Sequence, residues 1–164
     1  MPPHQVVLLI GGNQGDRLQL LAEARQSITR QIGSISGVSK IYETEPWGFV
    51  AEQNFLNQGV LVDTSLSPLE VLDKALAIEA DLGRVRLGQG YTSRPMDIDL
   101  IFFDHEVINS PRLTLPHPRM HLRRFVLKPL NDLIPEYVHP LLHKSIRQLL
   151  AECSDEGLVK DFEG

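Results

Sequence analysis

Two aspartates separated by one residue are the strongest chemical signal in this 164-residue sequence. Asp97 and Asp99 lie in the largely apolar run 96–103, which predicts a strand. Because side chains alternate faces along a strand, the two carboxylates should point the same way, with Cα atoms about 7 Å apart. Like charges beside a core are costly unless a cation neutralises them, and carboxylate oxygens suit magnesium. The pair predicts a magnesium site or, alternatively, an exposed strand end paired with Arg94.

Arginine is concentrated around this pair. Seven of the eleven arginines lie between positions 84 and 124, namely Arg84, Arg86, Arg94, Arg112, Arg119, Arg123 and Arg124. A guanidinium presents a planar fork that matches phosphate oxygens. The formal net charge of the chain is -5, which argues against generic nucleic-acid binding. A local arginine cluster in an acidic chain indicates a small polyphosphate ligand, although a set of surface ion pairs would give the same composition.

Familiar phosphate-binding motifs are missing from the sequence. It contains no G-x-x-x-x-G-K-[ST] loop and no protein-kinase H-R-D or D-F-G set. Any phosphates would therefore have to be held by carboxylate-bound magnesium and by side chains.

The elements that must position these residues follow the order β-α-β-β-α-β. Strands are expected at 5–10, 38–44, 55–62 and 96–103, with helices at 18–32 and 68–82 between them. This order predicts an α+β fold with a ferredoxin-like core, an antiparallel sheet with helices packed on it, and a C-terminal extension. The extension should hold an irregular stretch at 109–118 and a helix at 143–153. Length and composition predict a single domain over residues 1–164.

Capping residues mark the helix ends. Asp16 is expected to cap the first helix, which should stop at Gly33. Ser67 and Glu70 have the spacing of a capping box at the start of the second helix. On the fourth strand, alternation places Ile101 and Phe103 beside the aspartates. Since both faces of that strand become apolar, it should be central in the sheet.

The cellular setting is also predicted from composition. No apolar run approaches the roughly 20 residues that cross a bilayer, and no basic leader precedes the first strand. The single cysteine, Cys153, cannot form an internal disulfide, and we expect it to be a packed residue. We therefore expect a cytoplasmic protein that binds neither membranes nor nucleic acid.

Six segments in order carry a resemblance to a known family: GGNQGD, YETEPWGF, QNFLN, LGRVR, SRPMDIDLIFF and LTLPHPRMHLRRFVLKPL. With these segments the sequence resembles the 6-hydroxymethyl-7,8-dihydropterin pyrophosphokinases of folate biosynthesis, over about residues 6–135. The resemblance implies a ferredoxin-like core and transfer of the β,γ-diphosphate of ATP to the pterin hydroxymethyl oxygen, releasing AMP. It further implies that the protein binds ATP and a pterin, and that two Mg²⁺ ions bind with ATP. We expect the protein to be a monomer.

The resemblance also implies roles for individual residues. The catalytic residues would be Asp97, Asp99, Arg84 and Arg94, with both aspartates as metal ligands. The ATP site would consist of Arg86, Arg94, Asp97, Ile98, Asp99, Arg112, Thr114, His117 and Arg123. The pterin site would consist of Thr44, Glu45, Trp47, Phe55, Asn57 and Phe125. Two aromatic rings can sandwich a flat heterocycle, and the Asn57 amide can both donate to and accept from its edge.

The sequence departs from the family pattern in two places. Gly12 stands where serine is usual. In the loop 84–95, Gly90 follows a shortened run of bulky residues, Tyr91 stands where tryptophan is common, and Pro95 replaces a common threonine. We expect that loop to be less aromatic than in some relatives.

Two other functions remain possible from the residues alone. A nucleotidyl transferase or cyclase on a ferredoxin-like core would also use paired aspartates, although Phe55, Asn57 and Phe125 favour a flat heteroaromatic acceptor. A non-enzymatic RNA-recognition module would share the fold class. The acidic balance and the D-x-D pair argue against that module.

Overall fold

The computed structural model describes residues 3–45, 54–84, 96–155 and 157–162. Within these ranges the strands are β1 (His4–Gly12), β2 (Ser34–Val38), β3 (Tyr42–Thr44), β4 (Phe55–Thr64), β5 (Asp97–Phe103), β6 (Ile108–Asn109), β7 (Thr114–Leu115) and β8 (Val159–Asp161). The helices are α1 (Arg17–Gln31), α2 (Pro68–Arg84), α3 (Arg124–Leu133) and α4 (Ile146–Glu152), with a short 3-10 turn at Met120–Leu122.

The main sheet is antiparallel, with strand order β5-β1-β4-β3-β8 and with β2 also paired to β4. Strands β1, β4 and β5 with the β2–β3 edge, together with α1 and α2, form the expected β-α-β-β-α-β arrangement. The predicted α+β fold with helices packed on an antiparallel sheet is confirmed. The predicted helix at 143–153 is present as the shorter α4, which begins after the Ser145 cap.

The fourth predicted strand, β5, lies at one end of the described strand order, so the expectation that it is central was wrong. Its apolar residues are covered above and below by helices rather than flanked by two strands. Its face alternation also breaks, because Val7 pairs with Phe102 while Leu8 pairs with Leu100. Ile101 is thus the extra residue of a β-bulge. As a result Phe103 turns away from the aspartate face, contrary to strict alternation.

The second predicted strand is divided into β2 and β3. At the break, the Ser39 hydroxyl accepts the Gly59 N–H at 2.8 Å, and the Ser39 N–H donates to the Gly59 carbonyl at 2.9 Å. The side chain therefore takes over a hydrogen bond that a regular ladder would give to the backbone. Strand β2 begins at Ser34, earlier than expected. Both β2 and β3 pair with the same edge of β4.

The predicted caps are present. The Asp16 carboxylate accepts the Gln19 N–H at 3.2 Å at the start of α1. At α2 the Ser67 hydroxyl accepts the Glu70 N–H at 3.3 Å, and Glu70 returns the bond to the Ser67 N–H at 2.9 Å. This reciprocal pair is the predicted capping box, and these bonds lower the pKa of the Glu70 carboxyl.

Apolar side chains form one core on each side of the sheet. The first core includes Leu8, Ile98 and Phe103, and α1 and α2 cover it. The second core includes Leu9, Ile101 and Phe102, and α3 and α4 cover it. We refer to these sides as the first and second faces of the sheet. No helix among the described residues is long and apolar enough to cross a membrane.

Helix α3 and strand β8 had no counterpart in the sequence prediction. Helix α3 contains Pro129, which ordinarily argues against a helix interior. It nevertheless packs closely on β4, where Gly59 lets Pro129 and Leu133 approach the strand backbone. Cys153 lies half-buried against the second core, as expected of a packed residue.

Candidate active site

The two aspartates begin β5 on the second face. Asp97 pairs with Gly11 and Asp99 pairs with Leu9 across the β1–β5 ladder, while Ile98 between them enters the first core. The prediction that both carboxylates point to the same face is confirmed. Asp97 is half-buried and Asp99 is exposed, so the pair lies at the rim of the sheet, where a ligand can reach both oxygens.

Glu79 on α2 holds the backbone between the two aspartates. One of its carboxylate oxygens accepts the Ile98 N–H at 2.6 Å. This contact fixes the start of β5 relative to the end of α2. Residue type and spacing did not reveal it, since Glu79 and Ile98 meet only after α2 packs on β5.

A row of paired residues crosses the sheet from the aspartates. Gly11 on β1 pairs with Asp97 on one side and with Asn57 of β4 on the other. A side chain on Gly11 would overlap the Asn57 amide oxygen and lie 2.6 Å from the Leu56 carbonyl. The Asn57 amide therefore lies over the Gly11 backbone, on the side toward Asp97. With strands about 4.8 Å apart, the Asp97 and Asn57 Cα atoms are about 10 Å apart.

The predicted pterin residues on β3 and β4 share this second face. Thr44 pairs with Phe55, and Asn57 donates a 3.4 Å hydrogen bond from its amide to the Thr44 hydroxyl. Asn57 is only 8% exposed, whereas Glu45 just beyond β3 is exposed. Trp47 lies outside the described residues. Thr44, Phe55 and Asn57 thus form one contiguous patch.

The chain returns to β5 through the segment after β7. The His117 N–H donates to the Ile101 carbonyl at 3.1 Å, which places His117 along the outer edge of β5, two residues from Asp99. Its ring Nδ1 accepts the Arg119 N–H at 3.3 Å, so Nε2 carries the proton in the neutral ring. Burial, and then the charges of Arg123 and Arg119, lower the pKa of His117. The ring is therefore a neutral donor at neutral pH.

Arg123 and Phe125 flank the start of α3. The guanidinium carbon of Arg123 lies 5.8 Å from the centre of the Phe125 ring, within cation–π range. Phe125 is half-buried against the second core, so its ring is on the same side of the sheet as Asn57.

Arg112 and Thr114 lie further out. Thr114 is exposed on β7, and Arg112 forms an exposed ion pair with Asp73 of α2. Pairing with Asp73 keeps the Arg112 guanidinium beside α2, and this partner was not predicted from the sequence.

Three arginines of the cluster have side chains outside the described residues. Arg84 ends α2 with its backbone, while its side chain, Arg86 and Arg94 lie outside the described residues. The departures from the family pattern at Gly90, Tyr91 and Pro95 lie there as well.

The aspartate pair offers two carboxylates as possible ligands of a metal ion. Among the described residues, no three His, Cys, Asp or Glu side chains form a group that could hold a metal ion without another ligand. Two hard carboxylates on one face, one half-buried and one exposed, match the ordinary magnesium arrangement, in which phosphate oxygens and water complete the coordination. The donor set therefore fits magnesium held jointly by protein and substrate.

Comparison with known proteins identifies close relatives. A sequence model described as 7,8-dihydro-6-hydroxymethylpterin-pyrophosphokinase matches residues 7–135. A protein of Porphyromonas gingivalis named 2-amino-4-hydroxy-6-hydroxymethyldihydropteridine pyrophosphokinase is 41% identical over 82% of this chain and 93% of its own length. Proteins of the same name from Aquifex aeolicus and Bacillus subtilis are 33% and 39% identical, over 96% and 77% of this chain and 94% and 75% of their own lengths.

Solved structures support the same fold. A crystal structure of wild-type Plasmodium falciparum HPPK-DHPS superposes with a TM-score of 0.71 at 21% identity, covering 91% of this chain and 43% of that chain. An HPPK-DHPS structure in complex with substrates superposes with a TM-score of 0.71 at 17% identity, covering 92% of this chain and 43% of that chain. This chain thus spans less than half of those structures, and at such identities the likeness concerns the fold alone.

Proposed function

Since this chain belongs to the 7,8-dihydro-6-hydroxymethylpterin-pyrophosphokinase family, we infer that it transfers diphosphate from ATP to the hydroxymethyl oxygen of the dihydropterin in folate biosynthesis. The second product would be AMP, because the bond that breaks joins the α-phosphate to the β-phosphate. The atoms balance when the substrate hydroxyl loses its proton to solvent or to the AMP phosphate.

The row from Asp97 through Gly11 to Asn57 is the observation that carries this proposal. A carboxylate pair suited to a metal–phosphate group lies at one end, and an amide suited to a heterocycle edge lies at the other. About 10 Å separates their Cα atoms. That spacing accommodates a pterin at Asn57 whose hydroxymethyl arm extends toward the phosphates.

Asp97 and Asp99 would hold magnesium together with the phosphates. When bound, magnesium supplies positive charge to the phosphate oxygens and lowers the pKa of the attacking hydroxyl. Because both carboxylates lie on one face, they would orient the nucleotide along the β5 rim. Two ions with ATP is the stoichiometry that we propose.

The ATP site would form around the outer edge of β5. His117, as a neutral donor beside Ile101, would donate from Nε2 to the nucleotide, and Arg123 would balance phosphate charge. Thr114 and Arg112 would contact the nucleotide from the segment before His117, with Arg112 leaving Asp73. Ile98 would contribute its backbone, and Arg84, Arg86 and Arg94 would contact the phosphates from the loop at 84–95.

The pterin site would form between β3, β4 and α3. Asn57 would donate to and accept from the heterocycle edge, Thr44 would orient the Asn57 amide, and the rings of Phe55 and Phe125 would stack on the heterocycle. Glu45 and Trp47 would close the pocket from the adjoining loop. A dry, closed site would limit attack on ATP by water.

The decisive experiment identifies the nucleotide product. Purified protein, Mg²⁺, ATP and the hydroxymethyl dihydropterin should give AMP only when the pterin is present. Omission of Mg²⁺, with chelator added, should stop turnover. Production of ADP, or AMP formation that ignores the pterin, would contradict the proposal. Pyrophosphate release without pterin would instead point to a nucleotidyl transferase or cyclase.

We further propose that the protein is a cytoplasmic monomer that uses small-molecule substrates and binds neither nucleic acid nor membranes. Light scattering of the purified protein at micromolar concentration should give one species near the chain mass of 18.4 kDa.

A further inference from the structure

The last strand of the chain lies beside the strands that carry the proposed pterin residues. Strand β8 pairs antiparallel with β3, with Val159 opposite Thr44. Just beyond β8, the Phe162 N–H donates to the Ile41 carbonyl at 2.8 Å. This segment lies beyond residue 135, where the family match ends. The sheet edge next to Thr44 is therefore completed by a part of the chain that the family motifs do not include.

Arg17, the first residue of α1, connects that segment to the site. Its guanidinium donates to the Asn54 carbonyl at 2.9 Å and lies 3.5 Å from a Glu43 carboxylate oxygen. Its central carbon lies 5.4 Å from the centre of the Phe162 ring. The Arg17 side chain is only 18% exposed, so these partners replace most of its water. One cation thus joins α1, the end of β3, the start of β4 and the C-terminal segment.

These contacts lie on the opposite side of the sheet from the proposed substrate. Glu43 lies between Tyr42 and Thr44 on β3, so its side chain points to the first face, where Phe162 also packs. Thr44 and Phe55 point to the second face. Arg17 and Phe162 would therefore act on the pterin site through the backbones of β3 and β4, without touching the ligand.

The need for this support follows from the shortness of β3. Among the described residues, only Tyr42, Glu43 and Thr44 of β3 pair with β4. Asn54 immediately precedes Phe55, so the bond from Arg17 to the Asn54 carbonyl fixes the entry into β4. A planar guanidinium can satisfy a carbonyl and a carboxylate while stacking on a ring, which an ammonium group does less well.

We propose that Arg17 and Phe162 are positioning residues for the pterin site, and that the C-terminal strand is part of its scaffold. This inference rests on the proposed function, because it concerns binding of the pterin substrate. The two residues are 145 positions apart, and Phe162 lies outside residues 7–135, which match the family.

The test separates pterin binding from ATP binding. In Arg17→Gln and in Phe162→Leu, the KM for the pterin should rise on the order of tenfold, whereas the KM for ATP stays within about twofold. The double variant should show less than the product of the two single effects, since both changes remove the same contact. Phe162→Tyr, which keeps the ring, should retain the wild-type KM for the pterin.

Arg30→Gln is the matched control, because it removes the same charge from α1 at a residue that contacts Ser27 at the helix surface. It should leave both KM values unchanged. If Arg17→Gln and Phe162→Leu lower only the melting temperature, or raise both KM values equally, the positioning role is wrong. If the wild-type protein makes no pterin-dependent AMP, the proposed function itself has failed.

Discussion

Asp97 and Asp99 differ in environment although they belong to the same motif. Asp97 is half-buried beside Gly11, whereas Asp99 is exposed opposite Leu9. Neither carboxylate lies deep in the core. Their shared orientation at the rim of the sheet is the feature on which the proposed metal site rests.

We predict that Asp97→Asn and Asp99→Asn each lower kcat/KM by more than about 100-fold at saturating Mg²⁺, because each removes a charged metal ligand. The amide keeps the shape, so circular dichroism should show an unchanged fold. Asp161→Asn, on the same face but at the far edge strand β8, is the matched control and should stay active. Wild-type activity in either motif variant would refute the metal role.

The candidate site residues could be predicted from the sequence because the D-x-D spacing and the flanking segments are local in the chain. The partners of those residues were not. Glu79 holds the Ile98 N–H, and Asp73 pairs with Arg112, through contacts that span 19 and 39 positions. Such pairs depend on how α2 lies on the sheet, which no spacing rule encodes.

At the scale of elements, the close approach of β1 and β4 determines the shape of the site. Gly11 lies where the two strands pair, and the Asn57 amide occupies the space that a side chain at position 11 would need. Any side chain there would push against the Leu56 carbonyl, which belongs to a paired strand and cannot rotate away. The glycine is required by this contact rather than by an unusual backbone angle.

We predict that Gly11→Ala displaces the Asn57 amide and weakens pterin binding. The KM for the pterin should rise at least about tenfold, and the free energy of unfolding should fall by about 1–3 kcal/mol from overpacking. Asn57→Ala should raise the KM for the pterin to a similar value, without the loss of unfolding free energy that overpacking causes. If Gly11→Ala binds the pterin normally while Asn57→Ala does not, the overlap of the two residues is not what orients the amide.

Element types were largely predictable, because helix caps and apolar periodicity are local signals. The errors lie where tertiary contacts overrule local patterns. Ser39 interrupts an otherwise continuous strand by bonding to Gly59, and the bulge at Ile101 reverses the faces of Phe102 and Phe103. Helix α3 forms despite Pro129 because its apolar side packs on the sheet.

At the scale of the whole molecule, a buried histidine couples the fold to pH. His139 is 3% exposed, and its ring Nδ1 accepts the N–H groups of Leu141 and Leu142 at 3.1 Å each. Burial, with the nearby rings of His121 and His143, lowers the pKa of His139 to about 4. The folded protein therefore holds this ring neutral at pH values where the unfolded chain would protonate it.

We predict that the free energy of unfolding falls as pH drops from about 6.5 toward 4, where the unfolded state binds more protons than the folded state. The stabilisation is complete above the ordinary histidine pKa and is lost on acidification, at a limiting slope of about 1.4 kcal/mol per pH unit for this group. Urea unfolding of the wild type across this range measures the slope.

His139→Asn provides the comparison, since its amide oxygen can still accept a backbone N–H but does not titrate. Its free energy of unfolding should depend less steeply on pH over the same range. Equal slopes in the two proteins would exclude His139 as the source of the acid sensitivity. The lowered pKa of His117 also makes the free energy of unfolding fall on acidification, and this contribution should be the same in both proteins.

Local information in the sequence was enough to identify the element types, the α+β class, the aspartate pair and the family, because caps, periodicity and motif spacing involve residues near one another. Tertiary structure alone decided that β5 ends the described strand order, that Asp97, Gly11 and Asn57 form one row, and that Arg17 meets Phe162. The physical reason is that register and packing are set by contacts between distant segments. A shift of one residue in any ladder would move these side chains to the other face.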